Sequence, residues 1–332
     1  MDLIKARVRL REAIQTSGKF KYGYKSINAK ERLEGYNWLR HAGALWVLTD
    51  NYRRCHKDPL LETAMSYVVN KIVNEKETVA TIENTDWKSG LVGILILPML
   101  NMGINRLAQK LAYGALKHQN EDGTFTHKIN ADGSASDFES DYYTGELLFG
   151  LLSVCTAVSR EGSLPSFVPH ISTGIFTTDK QAKIDKAARK LLDWCLDNNY
   201  GIDIQSHWMM YALLEALRHT PYRTQEVIDL ATKIAYGTVK NANYRDAKRS
   251  TPIACRMELF GVFSQIAAIA WAKYNIKVNI TDKLKKHVQK DYKLIAAYYH
   301  RGYFIKGAQS DEWRIDYNQH ALAGIKLTAP LR

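Results

Sequence analysis

The 332-residue chain has no apolar run long enough to read as a membrane span. Its longest, Leu91-Val92-Gly93-Ile94-Leu95-Ile96-Leu97-Pro98-Met99-Leu100, covers about ten residues where a bilayer needs about twenty. The N-terminus, MDLIKARVRLREAIQ, alternates charges with single apolar residues and lacks the apolar core and small-residue cleavage site of a secretory signal. It reads as the start of a helix, and the cytoplasm is the expected compartment. The four cysteines, Cys55, Cys155, Cys195 and Cys255, include no CxxC pair, and three of them sit in apolar helical stretches. That pattern suits reduced core thiols better than disulfides or a metal site. There is no GxGxxG after a strand, no Walker lysine loop and no HExxH. The histidines do not pair at i and i+4 beside a further ligand, so neither a metal nor a cofactor is expected.

Acid is in short supply relative to base. Asp plus Glu number 34 against 46 Lys plus Arg, a formal net charge of +12, so the surface potential should draw anions. With 46% hydrophobic and 24% charged residues, the composition is that of a folded protein and excludes disorder.

What the chain does have is a recurring segment: a short polar or aromatic cluster followed directly by an apolar helix rich in small residues. Six such segments occur: YNWLRHAGALWVL from Tyr36, DWKSGLVGILILPML from Asp86, DYYTGELLFGLLSV from Asp141, SHWMMYALLEAL from Ser206, CRMELFGVFSQIAAIAW from Cys255 and DYNQHALAGIKL from Asp316. Their starts are 49 to 65 residues apart, which leaves room for one return helix in each unit. Amphipathic stretches fill those gaps at 58–75, 103–118, 180–199, 223–239 and 281–299, and 1–16 supplies a sixth. Helices apolar all round alternate with helices wet on one face, which predicts two concentric layers. The expected fold is all-α, an (α/α)6 toroid forming one domain over 1–332. Gly- and aromatic-containing segments at 18–26, 122–129 and 301–307 read as short β-hairpins gathered at the pole where inner helices begin. The Pro-, Gly- and Ser-containing stretch 160–179 reads as a long loop.

A funnel at that pole should be lined by the six polar clusters: Tyr36, Asn37, Arg40 and His41; Asp86 and Trp87; Asp141, Tyr142, Tyr143 and Glu146; His207 and Trp208; Arg256 and Glu258; Asp316, Tyr317, Asn318 and His320. Aromatic faces stack on sugar rings, Arg and His read anionic groups, and paired carboxyls perform acid and base work on glycosidic bonds. Asp86, Asp141, Ser206 and Asp316 also suit plain helix caps. Glu146, one turn into an apolar helix, demands a partner or a task. Arg256 and Glu258, two residues apart, should serve different partners, and Arg40 and His41, about 100° apart on a helix, cannot both face the funnel.

On these residues the chain resembles the six-hairpin, (α/α)6-toroid carbohydrate-active enzymes, a group spanning glycoside hydrolases, polysaccharide lyases and sugar epimerases. QNEDGTF at 119–125 and DYYTGELLFGLL opening an inner helix carry the likeness. Tyr143-Thr144-Gly145-Glu146 is similar to a Tyr-Pro-Gly-Glu element of uronyl-epimerase-like toroids, with Thr144 in the proline position. The resemblance implies an enzyme acting on a glycan, here an anionic one. Hydrolysis ranks first, with Glu146, Glu258 and Asp86 as candidate acid, base or nucleophile. In the alternative, a uronate lyase or C5-epimerase, Arg40 or Arg256 would neutralise the substrate carboxylate while His207, His41 or Tyr143 removes the C5 proton. Tyr36, Asn37, Trp87, Tyr142, Trp208, Asn318 and His320 complete the expected binding wall. A non-enzymatic scaffold for an anionic partner is the third reading. Membrane association is not expected, and nucleic acid is disfavoured because the aromatics gather on the inner helices rather than among the surface lysines.

Overall fold

The computed structural model describes residues 1–50, 58–75, 78–82, 86–157, 178–219, 221–241 and 248–332. The long-loop expectation for 160–179 therefore falls almost wholly outside the described residues, as does Cys55. Among the described residues, twelve α-helices alternate between two layers. The inner ones are α2 (Trp38–Thr49), α4 (Ser89–Met102), α6 (Tyr143–Ala157), α8 (His207–Arg218), α10 (Ser250–Tyr274) and α12 (Ile315–Leu327). The outer ones are α1 (Leu3–Glu12), α3 (Pro59–Val69), α5 (Asn105–Ala115), α7 (Thr178–Asp197), α9 (Thr224–Lys240) and α11 (Asp282–Ala297).

Each inner helix packs on the next, α2 on α4 and so on through α10 on α12, and α12 returns to pack on α2, so the ring is closed. The sequence of the inner staves explains why. In α4, 12 of 14 residues are buried, and its apolar residues leave no wet face to turn outward. Close approach is built on small residues: a Cβ at Gly93 would overlap the Glu146 backbone, and one at Gly150 would overlap the backbone of Gly93, so α4 and α6 touch main chain to main chain. The outer helices are amphipathic, with Ile184, Ala188, Leu191 and Cys195 of α7 buried while the lysines between them stay wet.

Two expectations are corrected. The stretch 58–75 does not stay helical: α3 ends at Val69 and the chain pairs as a hairpin, β3 (Ile72–Glu75) with β4 (Thr78–Ile82), where β-branched residues in IVNE and TVATI favour an extended backbone. The fifth inner helix starts at Ser250 rather than Cys255, five residues earlier than its polar cluster suggested. That 25-residue helix is by length and composition apolar enough to cross a membrane, which the search for unbroken apolar runs missed; in the fold, 78% of its apolar window is buried inside the protein.

The remaining short strands lie around the N-terminal pole of the ring. β1 (Gly23–Ser26) pairs with β2 (Glu31–Arg32) and with β9 (Trp313–Arg314), joining the first and last repeats. β5 (Trp87–Lys88) pairs with β6 (Lys128–Ile129), and β7 (Tyr299–His300) with β8 (Tyr303–Phe304). Asn318 fastens this closure. Its Oδ1 accepts from the Phe304 amide and the Trp313 indole, each at 2.8 Å, while its Nδ2 donates to the carbonyls of Ala6 and Gly302, each at 2.9 Å.

Candidate active site

Parallel inner helices present their first turns to one pole, and the cavity there, of about 310 Å³, draws on all six staves. Arg40 and Gly43 come from α2, Ile94 from α4, Glu146 from α6, His207 and Trp208 from α8, Cys255 from α10, and Asp316, Tyr317, Gln319 and His320 from α12. Tyr142 stands at its edge with its ring 6.0 Å from that of His207. Below Trp208 the indole of Trp46 and the stacked rings of Phe149 and Tyr211 make an aromatic plug: Trp46 lies 5.5 Å from Trp208, and Phe149 lies 5.2 Å from Tyr211.

Two imidazoles meet on the cavity wall. The rings of His207 and His320 are 5.3 Å apart and nearly perpendicular. Ser206 caps α8 by accepting from the Met209 amide, and this places His207 as the first helical residue, with its side chain in the ring rather than in solvent. His207 is 4% exposed, and neither of its ring nitrogens has a hydrogen-bond partner among the described residues. Burial, and then the charge of His320, push its pKa well below the ordinary 6.5, so it is a neutral imidazole. His320 is the opposite case. Its Nδ1 lies 2.7 Å from Glu258 Oε1, and Tyr211 donates to Glu258 Oε2 at 2.8 Å. Burial opposes its charge, but Cys255 and Glu258 outweigh burial and hold it well above 6.5, as an imidazolium.

Glu146 points into the same cavity with Oε2 unbonded among the described residues. Burial pushes its carboxyl up to about 8, with His320 pulling the other way. It therefore keeps its proton at neutral pH in the folded chain and releases it near the ordinary 4.5 when the chain unfolds. A carboxyl raised in this way withdraws stability as pH rises through that window, at about 1.4 kcal/mol per pH unit. Glu146→Gln should flatten the decline of the melting temperature between about pH 5 and pH 8. An unchanged slope would place the carboxyl in a wetter setting than the structure shows.

The rim is basic. Arg40, Arg249, Lys306 and Arg314 reach it, and Arg314 holds Asp316 through two hydrogen bonds at 3.1 and 2.9 Å while Arg40 lies 3.3 Å from the same carboxyl.

Of the residues singled out from sequence, Arg40, Tyr142, Glu146, His207, Trp208, Asp316, Tyr317 and His320 line this cavity, and Glu258 stands directly behind His320. The others lie elsewhere. His41 is fully buried among Phe20, Trp38 and Tyr67, hydrogen-bonded to the Tyr36 hydroxyl, and burial drives it down to about 3. Asn37 caps α2. Asp86 pairs with Lys128 at 3.0 Å across the β5–β6 hairpin, and Trp87 packs on His118 in the core. Tyr143 packs between His127 and Phe138. Arg256 turns outward to Asp291 on α11, and Asn318 is the structural clasp described above. Sequence reasoning passed over Cys255, Tyr211, Arg249, Lys306 and Arg314. Two of these had a signal: Tyr211 follows His207 by four residues and Cys255 precedes Glu258 by three, so each shares a helix face with a residue already singled out.

No protein-family profile and no curated protein matches the chain. Solved structures match its shape over nearly its whole length. A D-mannose isomerase superposes with a TM-score of 0.67 at 10% identity, covering 98% of this chain and 96% of that one. A cellobiose 2-epimerase from Spirochaeta thermophila gives 0.62 at 11% identity, over 98% and 97%. An α-1,6-mannanase from Salegentibacter sp. gives 0.62 at 13% identity, over the full length of both. The fold is thus the (α/α)6 toroid that these structures share.

Proposed function

We propose that the protein moves a proton at the C2 position of a reducing sugar, as an aldose–ketose isomerase or a 2-epimerase. The observation that carries the reading is the convergence of a neutral, unbonded imidazole, His207, and a charged one, His320, on a single small cavity. Both directions of proton transfer are then in place before any substrate arrives. In the open-chain sugar the His320 imidazolium faces the carbonyl oxygen O1 as proton donor, and His207 takes the proton from C2. The C2–H electron pair becomes the double bond of an enediol while the carbonyl pair goes to O1, which takes the proton from His320. Return of the proton from His207 to C1, with the O2–H proton passing to the now neutral His320, yields the ketose; return to C2 after the enediol has turned its other face to His207, with the O1–H proton passing to His320, yields the epimer. Glu258, held by Tyr211, orients the His320 ring and supports its charge, as a carboxyl behind a catalytic imidazole does elsewhere. That an isomerase and a 2-epimerase are among the solved structures of this shape supports the reading.

The substrate we infer is anionic and small. Arg40, Arg249, Lys306 and Arg314 gather at the cavity mouth, where Arg314 and Arg40 share Asp316 and Lys306 pairs with Glu312, and this concentration of cations suits a sugar carrying a phosphate, sulfonate or carboxylate.

A second reading keeps the hydrolase: Glu146, protonated at neutral pH, would serve as general acid and Asp316 as its partner. It must do without Glu258, which is fully buried behind His320 and engaged on both oxygens.

The deciding experiment is incubation with aldoses and their 6-phosphate, 6-sulfonate and uronate forms in deuterium oxide, followed by proton NMR. Loss of the C2–H signal without chain cleavage is the expected result. Release of new reducing ends without C2 exchange selects the hydrolase, and an unsaturated product selects the lyase.

A further inference from the structure

Cys255 has no task in that proton transfer, yet its thiol sits against His320 at the base of the cavity. One ligand atom from each of His207, Cys255, Glu258 and His320 lies within 4.8 Å of all the others. We propose that these four residues form a site for a thiophilic divalent cation of the zinc type, and that the ion and the sugar exclude one another.

The donor set argues for the class of ion. One sulfur, two imidazole nitrogens and one carboxyl oxygen suit a tetrahedral zinc or cobalt ion, whereas magnesium and calcium take oxygen ligands. The geometry is close to what such an ion needs. Bond lengths of about 2.0 to 2.3 Å place tetrahedral ligand atoms about 3.5 Å apart, so side-chain adjustments of about 1 Å close the cluster. Three neighbouring staves supply the ligands, α8, α10 and α12, with Cys255 and Glu258 one turn apart on the same face of α10. An independent observation points to a ligand here: His207 is 4% exposed and has no hydrogen bond on either nitrogen among the described residues. Buried polar groups left in that state are rare, and a metal bond would satisfy it. The Tyr211 hydroxyl already holds Glu258 Oε2 as an outer-shell contact, and Oε1, which faces His320 Nδ1, turns to the ion as His320 and Cys255 release their protons to solvent. Entry is through the funnel, because His207, Cys255 and His320 all line it.

The site itself does not depend on the proposed reaction; the mutual exclusion of ion and sugar rests on it, because a bound ion would occupy both imidazoles that carry the proton.

The test is a cobalt titration of the full-length protein, reduced and stripped with chelator. Saturation at one equivalent is expected, with a near-ultraviolet thiolate-to-cobalt charge-transfer band and the strong visible bands of tetrahedral cobalt, both abolished by zinc. Cys255→Ser should lose the charge-transfer band and bind at least about ten-fold more weakly, the loss that even outer-shell changes bring. His207→Gln should weaken binding comparably while keeping the band, and circular dichroism of both variants checks that the fold is intact. Absence of saturable binding, or a band that survives in Cys255→Ser, overturns the site. A cobalt site that forms while zinc leaves C2 exchange untouched overturns the exclusion. The titration reads no sugar chemistry, so its failure and the failure of the proton-transfer reading are separate results.

Discussion

His207→Gln should lower the rate of C2 hydrogen exchange by about 10² to 10⁴, the contribution of a positioned general base. The effect should fall on kcat, with KM little changed, because in the proposed reaction the imidazole meets the reacting carbon while the basic rim would hold the anionic end. Little stability should go with it. His207 makes no hydrogen bond among the described residues, so glutamine leaves no partner stranded. Steady-state kinetics beside a thermal melt separates the two effects. A variant that keeps more than about a tenth of wild-type exchange would remove His207 from the role of base. His320→Gln should be similarly impaired, with the added fault of leaving Glu258 Oε1 buried without its partner.

The second large effect concerns stability. Arg256 and Asp291 are each 1% exposed at the side chain, joined by the Arg256 Nε donating to Asp291 Oδ2 at 2.6 Å and by a second bond from Nη2. Burial pushes the Asp291 carboxyl above its ordinary 3.8 even though Arg256 draws it down, which shows how far the setting disfavours an isolated charge. Asp291→Ala removes the carboxylate that neutralises the buried guanidinium between α10 and α11 and should cost about 3 to 5 kcal/mol in urea unfolding. The double replacement Arg256→Met with Asp291→Leu should recover most or all of that loss, because well-packed apolar side chains avoid desolvating two ions. If the double variant is as unstable as the single one, the pair contributes more than its mutual neutralisation.

Arg256 also shows where sequence reasoning lost the site. Its spacing from Glu258 said that the two face apart, and they do: one toward the outer layer, one toward the cavity wall. Nothing in the spacing said which was which. Arg40 and His41 pose the same problem, since adjacent residues of one helix diverge and the apolar pattern of α2 is too continuous to mark its inward side. Aromatic and acidic residues at Trp87, Asp86, Tyr143 and Tyr36 belong to the hairpins and packing that surround the mouth, and their composition is the same as that of a sugar-binding wall.

The ring itself was legible because two-layer burial writes itself along the chain. A helix enclosed on all sides must be apolar all round and small where backbones touch, and a helix covering it must be wet on one face; six alternations close a circle. Helix ends were less legible: α10 begins five residues before its polar cluster, and α3 yields to a hairpin. The sequence by itself determined the toroid and placed His207 and His320, together with His41, among the candidates at the inner-helix N-termini. Only the tertiary structure decided that Glu258 stands behind His320 rather than before the substrate, and that Cys255 completes a four-residue cluster with His207. The physical reason is that these contacts run between staves 47 to 62 residues apart, Tyr211 to Glu258 and Glu258 to His320, and helical periodicity carries information along a stave but none across it.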